Sequence, residues 1–155
     1  MRGLHGRIVY EILPRLAERL KREGLISDYD RKQEKTEISN DFPEIRMNPD
    51  LILHTSNGKK ILVEVANPKD PKRFIGELVY PKMLLWRKKI TAAIVFVLNP
   101  QEQETPKRTE PHMRSLSQII MLNEFLNLPK GSIRVTWPGE DAAYDWLKAF
   151  CSKKV

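Results

Sequence analysis

Asn57-Gly58 stands between two apolar runs, Asp50-Leu51-Ile52-Leu53-His54-Thr55 and Lys60-Ile61-Leu62-Val63-Glu64-Val65-Ala66. Asparagine and glycine tolerate left-handed backbone, so this dipeptide between strand-like runs predicts a β-hairpin. The loop length decides what the hairpin can do. A two-residue loop would pair Ser56 with Lys59 and send Asp50 and Glu64 to opposite faces. A three-residue loop, Ser56-Asn57-Gly58 with Gly58 left-handed, pairs Thr55 with Lys59 and sets Asp50 opposite Glu64 on one face. We expect the three-residue loop.

The flanking periodicities extend this hairpin into a larger sheet. Ile8, Ile12, Leu16 and Leu20, with Val9 and Leu13 beside them, form a helical stripe that stops at Gly24. Pro14 should kink that helix because it removes a backbone donor. From Asp28-Tyr29-Asp30 the chain turns polar, with short extended candidates that include Lys35 to Ser39. After the hairpin, Asp70-Pro71 reads as a helix cap followed by a first-turn proline. The helix reaches about Lys89, interrupted at Pro81, and buries Phe74, Leu78, Met83, Leu84 and Trp86. Thr91 to Leu98 is continuously apolar, as a strand covered on both faces should be. Gln101 to Pro111 reads as a loop, and helical spacing resumes from Met113 to Phe125. Ser132 to Trp137 alternates like a strand. A last helix from Gly139-Glu140-Asp141 places Ala143, Trp146, Leu147 and Phe150 on one side. The order is αβββαβαβα, an α/β fold with a mixed β-sheet flanked by helices, in one domain spanning residues 1–155.

Composition narrows the function classes. The longest apolar run, Ala92 to Leu98, is far shorter than the roughly 20 residues of a membrane helix. The N-terminus lacks the apolar segment of a signal peptide, so the expected protein is soluble and cytoplasmic, without a membrane partner. A lone Cys151 excludes an intrachain disulfide framework and a multi-cysteine zinc site, and His5, His54 and His112 show no metal spacing. No glycine-rich phosphate loop is present, which argues against NTPase and dinucleotide-binding chemistry. The net charge is +7, and residues 72–89 hold six basic residues against one acid. Such a stretch suits a polyanion, and it also suits a merely solvated helix face.

Two carboxylates on adjacent strands are a way to offer oxygen ligands to a hard divalent cation. Pro49-Asp50, a thirteen-residue gap and Glu64-Val65-Ala66 on an apolar strand resemble the PD-(D/E)XK nuclease superfamily. The element order around them is similar to that superfamily's α-β-β-β-α-β core, giving an expected single-domain restriction-endonuclease-like fold. Gly6, Glu11, Leu16, Leu20 and Gly24 resemble the opening helix of archaeal Holliday-junction-resolvase-type members. The resemblance implies Asp50, Glu64 and the Val65 carbonyl as ligands of Mg²⁺ or Mn²⁺, with Glu11 as a third carboxylate. It also implies a lysine two residues after Glu64, where this chain has Ala66. Lys69 is the nearest substitute, Lys72 the next, and Lys82 lies farther along the helix, where Glu77 and Tyr80 could line the same cleft.

The expected activity is metal-dependent hydrolysis of DNA phosphodiester bonds. Asp50, Glu64 and Lys69 would carry the chemistry, and Lys72, Arg73, Lys82, Arg87 and Lys88 would contact the nucleic-acid backbone. A homodimer would suit cutting of both strands. The alternative is an inactive nuclease-fold domain that binds nucleic acid or a protein partner. Each residue also has a plainer reading. Asp50 could cap the strand, Glu64 could sit in a structural salt bridge, and Glu11 could pair with Arg7 or Arg15 on the helix surface. The three tryptophans suit packing better than base stacking.

Overall fold

The computed structural model describes residues 3–32, 49–67, 71–98 and 132–152, with backbone alone for 71–78 and 132–136. A five-stranded mixed sheet runs in the order β1-β2-β3-β4-β5. Strands β1 (Asp28–Arg31), β2 (Leu51–His54) and β3 (Lys60–Ala66) are antiparallel neighbours. Strands β4 (Ala92–Val97) and β5 (Ser132–Thr136) continue the sheet in parallel with β3. The expected strand near Lys35 to Ser39, the loop at 101–111 and the helix at 113–125 lie outside the described residues. The first described strand falls at the start of the polar stretch.

The hairpin takes the three-residue loop. Leu51 pairs with Val63 and His54 with Lys60, the Thr55 amide donates to the Lys59 carbonyl at 2.9 Å, and Gly58 has φ +81°. A side chain at Gly58 would strain that backbone, so glycine here sets the register of the whole hairpin.

The first helical segment is α1 (Leu4–Arg7), a π-turn (Ile8–Ile12) and α2 (Leu13–Arg22). Pro14 produces this irregularity one turn upstream, because its ring and missing donor disfavour an ordinary bond to the Tyr10 carbonyl. The chain then stops in a glycine cap at Gly24, φ +77°. Helix α3 (Pro71–Trp86) differs from expectation at Pro81, where the helix continues without a break. Pro81 is buried, between the buried side chains of Tyr80 and Leu84, and this packing outweighs one lost backbone bond. Trp86 also departs from expectation, standing 76% exposed at the helix end. In α4 (Glu140–Ser152) the buried stripe is Ala143, Tyr144, Leu147 and Phe150, while Trp146 is largely exposed. Position 146 keeps three- and four-residue steps to 143 and 150, yet it lies just outside the buried arc, whose opposite edge is 144.

Helices cover both sheet faces. Ile8, Leu13, Leu16 and Leu20 from the first segment, with Tyr144, Leu147 and Phe150 from α4, seal Leu51, Leu53, Ile61, Val63, Val65, Ile94 and Phe96. Phe96 meets Trp137 edge to face at 5.1 Å between ring centroids. The opposite face carries a smaller cluster of Ile52, Leu62, Ala93 and Ile90 under Tyr80 and Leu84 of α3. Among the described residues, no helix is long and apolar enough to cross a membrane.

Candidate functional site

The sheet register assembles the site. One residue beyond the Leu51–Val63 pair stand Asp50 and Glu64, on the α3 side of the sheet. One residue beyond the Arg31–Leu51 pair stand Lys32 and Asp50. Three charged residues thus follow one another across three strands.

Asp50 and Glu64 are 3% and 5% exposed and are the buried charged side chains among the described residues. Their contacts are reciprocal. The Asp50 amide donates to Glu64 Oε1 at 3.3 Å, and the Val65 amide donates to Asp50 Oδ2 at 2.8 Å. The remaining Asp50 oxygen, Oδ1, accepts from Lys32 Nζ at 2.7 Å. These bonds fix both carboxyl groups against backbone and leave little rotational freedom.

The electrostatics are lopsided. Burial pushes the Glu64 carboxyl well above the usual carboxylate range, and Asp50 pushes in the same direction through charge and a shared hydrogen bond. Lys32 opposes this rise without cancelling it. On Lys32 itself, burial favours losing the proton, but the charges of Asp50 and Glu64 outweigh it and hold the ammonium above its ordinary value. Among the described residues one ammonium faces two carboxyl groups, so in that set the second carboxyl keeps a proton or needs another cation.

A hard divalent cation fits that donor set. Mg²⁺ and Mn²⁺ take oxygen ligands, and Mg²⁺ is commonly held by one or two carboxylates with retained waters. Asp50, Glu64 and the Val65 carbonyl supply such oxygens. That carbonyl already accepts a hydrogen bond from His5 Nε2 at 3.0 Å, and a carbonyl has a second lone pair.

Glu11 does not join the pair. It lies exposed on the π-turn beside the buried Ile8 and Val9, and its charge acts on Arg15. Among the described residues no group of three or more His, Cys, Asp or Glu side chains converges, so the expected three-carboxylate site reduces to two. Lys69 lies outside the described residues, and Lys72 and Arg73 are described by backbone alone at the start of α3. Among the described residues the lysine beside the pair is Lys32, which sequence reasoning missed because no periodicity marks residues 28–32. His5 was missed too, although three- and four-residue steps place it on the same helical face as buried Ile8 and Val9. Lys82 is half-buried, and Arg87 and Lys88 are exposed beyond the end of α3.

Cys151 is half-buried with its thiol pushed up to about 11 by burial, which suits packing and not nucleophilic attack. His54 pairs with Asp30 at 2.6 Å. No known family, curated protein or solved structure matches the chain.

Proposed function

We propose that the chain is a metal-dependent nuclease that hydrolyses DNA phosphodiester bonds, on a restriction-endonuclease-like sheet. One observation carries this reading: among the described residues, two carboxyl groups are buried side by side against one ammonium. Burying like charges is unfavourable for folding alone, and such pairs concentrate where a site needs them. The resemblance to PD-(D/E)XK nucleases and the +7 net charge support the same reading.

In this reading Asp50, Glu64 and the Val65 carbonyl hold Mg²⁺ or Mn²⁺. The bound ion supplies Lewis acidity toward a phosphate oxygen and toward water. The chain's own groups do the rest. The Val65 amide and Lys32 hold the Asp50 carboxylate in place, and His5 holds the Val65 carbonyl. Lys32 stands where a cation can offset charge on the phosphoryl group, the part expected of Lys69 or Lys72. Hydrolysis forms one P–O bond from water, breaks the bond to the leaving sugar oxygen and returns a proton to that oxygen. Lys72, Arg73, Lys82, Arg87 and Lys88 contact the DNA backbone. A homodimer would present two such sites to the two strands of a duplex.

A second reading is a nuclease-fold domain that binds nucleic acid or a protein partner without cutting. Ala66 at the motif's lysine position, and an ammonium already paired with Asp50, favour it. A cleavage assay with Mn²⁺ on plasmid, linear and branched DNA separates the two. Cleavage by the wild type that disappears in Glu64→Ala is the expected result. Cleavage that persists in Glu64→Ala comes from a contaminant, and DNA binding without cleavage selects the second reading.

A further inference from the structure

Trp86 is the most exposed large apolar side chain of the described residues, at 76% exposure. Its position is fixed by how α3 ends. The Lys89 amide donates to the Leu84 carbonyl at 2.9 Å and the Lys88 amide to the Leu85 carbonyl at 3.1 Å, with Lys88 at φ +58°. This double bond pattern closes a helix through a left-handed residue, a role usually given to glycine. Lysine there carries backbone strain, and the turn sets Arg87, Lys88 and Lys89 directly after the indole.

The indole borders an open recess of about 440 Å³ lined by Val79, Lys82, Met83, Leu85 and Trp86. The neighbourhood is cationic in sequence: Lys82 lines the recess, Arg87, Lys88 and Lys89 follow the indole directly, and no acid occurs between Leu78 and Leu98. The Thr91 amide donates to the Lys60 carbonyl at 2.9 Å, which adds Lys60 to the same end of the sheet. Glu64 lies four residues farther along β3, roughly 13 Å away at strand spacing. Neither carboxylate of the pair lines the recess.

An exposed indole beside Lys82 and followed by three consecutive cations has the two features that single-stranded nucleic acid uses, a flat π-face for a base and charge for its phosphates. A duplex offers the charges' partners but hides its base faces in the stack. We infer that Trp86 is a stacking platform for an unpaired nucleobase, with Lys82, Arg87, Lys88 and Lys89 holding the flanking phosphates. The inference rests on nucleic acid being the ligand, and it adds that the bound molecule has a single-stranded part.

The test uses the full chain in EDTA, so that nothing is cut, with fluorescein-labelled oligo-dT and a duplex of equal length read by anisotropy. The wild type should bind the single strand more tightly than the duplex. Trp86→Ala should weaken the single strand roughly 10-fold while leaving the duplex unchanged, and Trp86→Phe should keep most of the affinity. Lys88→Gln should weaken both ligands and reduce the salt slope by about one. Circular dichroism of each variant establishes that the fold is intact. Equal single-strand affinity of wild type and Trp86→Ala overturns the platform, and Mn²⁺-dependent cleavage surviving beside it leaves the nuclease reading standing. Concentration-dependent self-association that vanishes in Trp86→Ala assigns the recess to a second copy and also overturns it. Absence of binding to either DNA overturns the platform and the DNA reading together.

Discussion

The two faces of the sheet are built from the same strands and serve opposite ends. In β3, Ile61, Val63 and Val65 enter a core sealed by the first helical segment and α4. Their alternate neighbours Leu62 and Glu64 look toward α3, where Leu62 joins a small cluster and Glu64 meets Asp50. The first face gains stability from continuous apolar burial. The second gives up part of that gain to keep two carboxyl groups and an ammonium out of water. Period-two alternation allows one strand to serve both, with apolar burial on one face and buried charge on the other.

That contrast can be broken most forcefully on the apolar face. Phe96→Ala removes a fully buried ring and its edge contact to Trp137, and should cost about 3–5 kcal/mol in urea unfolding. A loss under about 1 kcal/mol would mean that this face is not the one that holds the fold. On the charged face, Lys32→Met leaves Asp50 Oδ1 without its ammonium. Lys32 is 30% exposed, so solvent screens part of the effect, and the cost should be about 2 kcal/mol.

Glu64→Gln should act in the opposite direction. In the folded chain the Glu64 carboxyl titrates above its ordinary value of 4.5, chiefly through burial, so between those two values the folded state holds a proton that the unfolded state has lost. Stability is then fully present below pH 4.5 and falls as pH rises through the folded-state value. Metal-free denaturation at stepped pH should show this fall in the wild type and not in Glu64→Gln. The variant should be the more stable at neutral pH, by about 1 kcal/mol. A difference between wild type and Glu64→Gln that stays constant across that window would contradict the buried, raised carboxyl.

The smallest effect belongs to the surface clamp of Arg15 on Glu140, with bonds of 2.6 and 2.7 Å between α2 and α4. Both partners are exposed, and Arg15 lowers the Glu140 carboxyl below its ordinary 4.5. Its contribution is present above that value and is lost as pH falls through the lowered one. Arg15→Gln should therefore unfold at slightly lower urea at pH 7 and match the wild type in acid. A difference that persists in acid would assign the arginine a packing role instead.

The hairpin was legible because its information is local. Asn57-Gly58 dictates a loop whose backbone only certain residues adopt, and the register of Asp50 and Glu64 follows from it by counting. β4 was legible for the same kind of reason, a short run apolar on every position. Lys32 was not, since its place depends on β1 pairing with β2 at the sheet edge, and no turn or alternation near residue 32 specifies that register. Glu11 was misread because its spacing from Gly6 and Leu16 suggested the site, whereas the π-turn and the buried stripe leave it on the outer surface. Trp86 was misread because helical spacing counts an aromatic as core, while the helix ends at that residue and no stripe follows it.

The central claim is that Asp50 and Glu64 form a site for a divalent cation, and Mn²⁺ titration calorimetry on the full chain at constant pH tests it most directly. Saturable binding near one ion per chain is expected, lost in Asp50→Ala and in Glu64→Ala while both variants remain folded. Absence of binding by the wild type, or unchanged binding by Asp50→Ala, would contradict it.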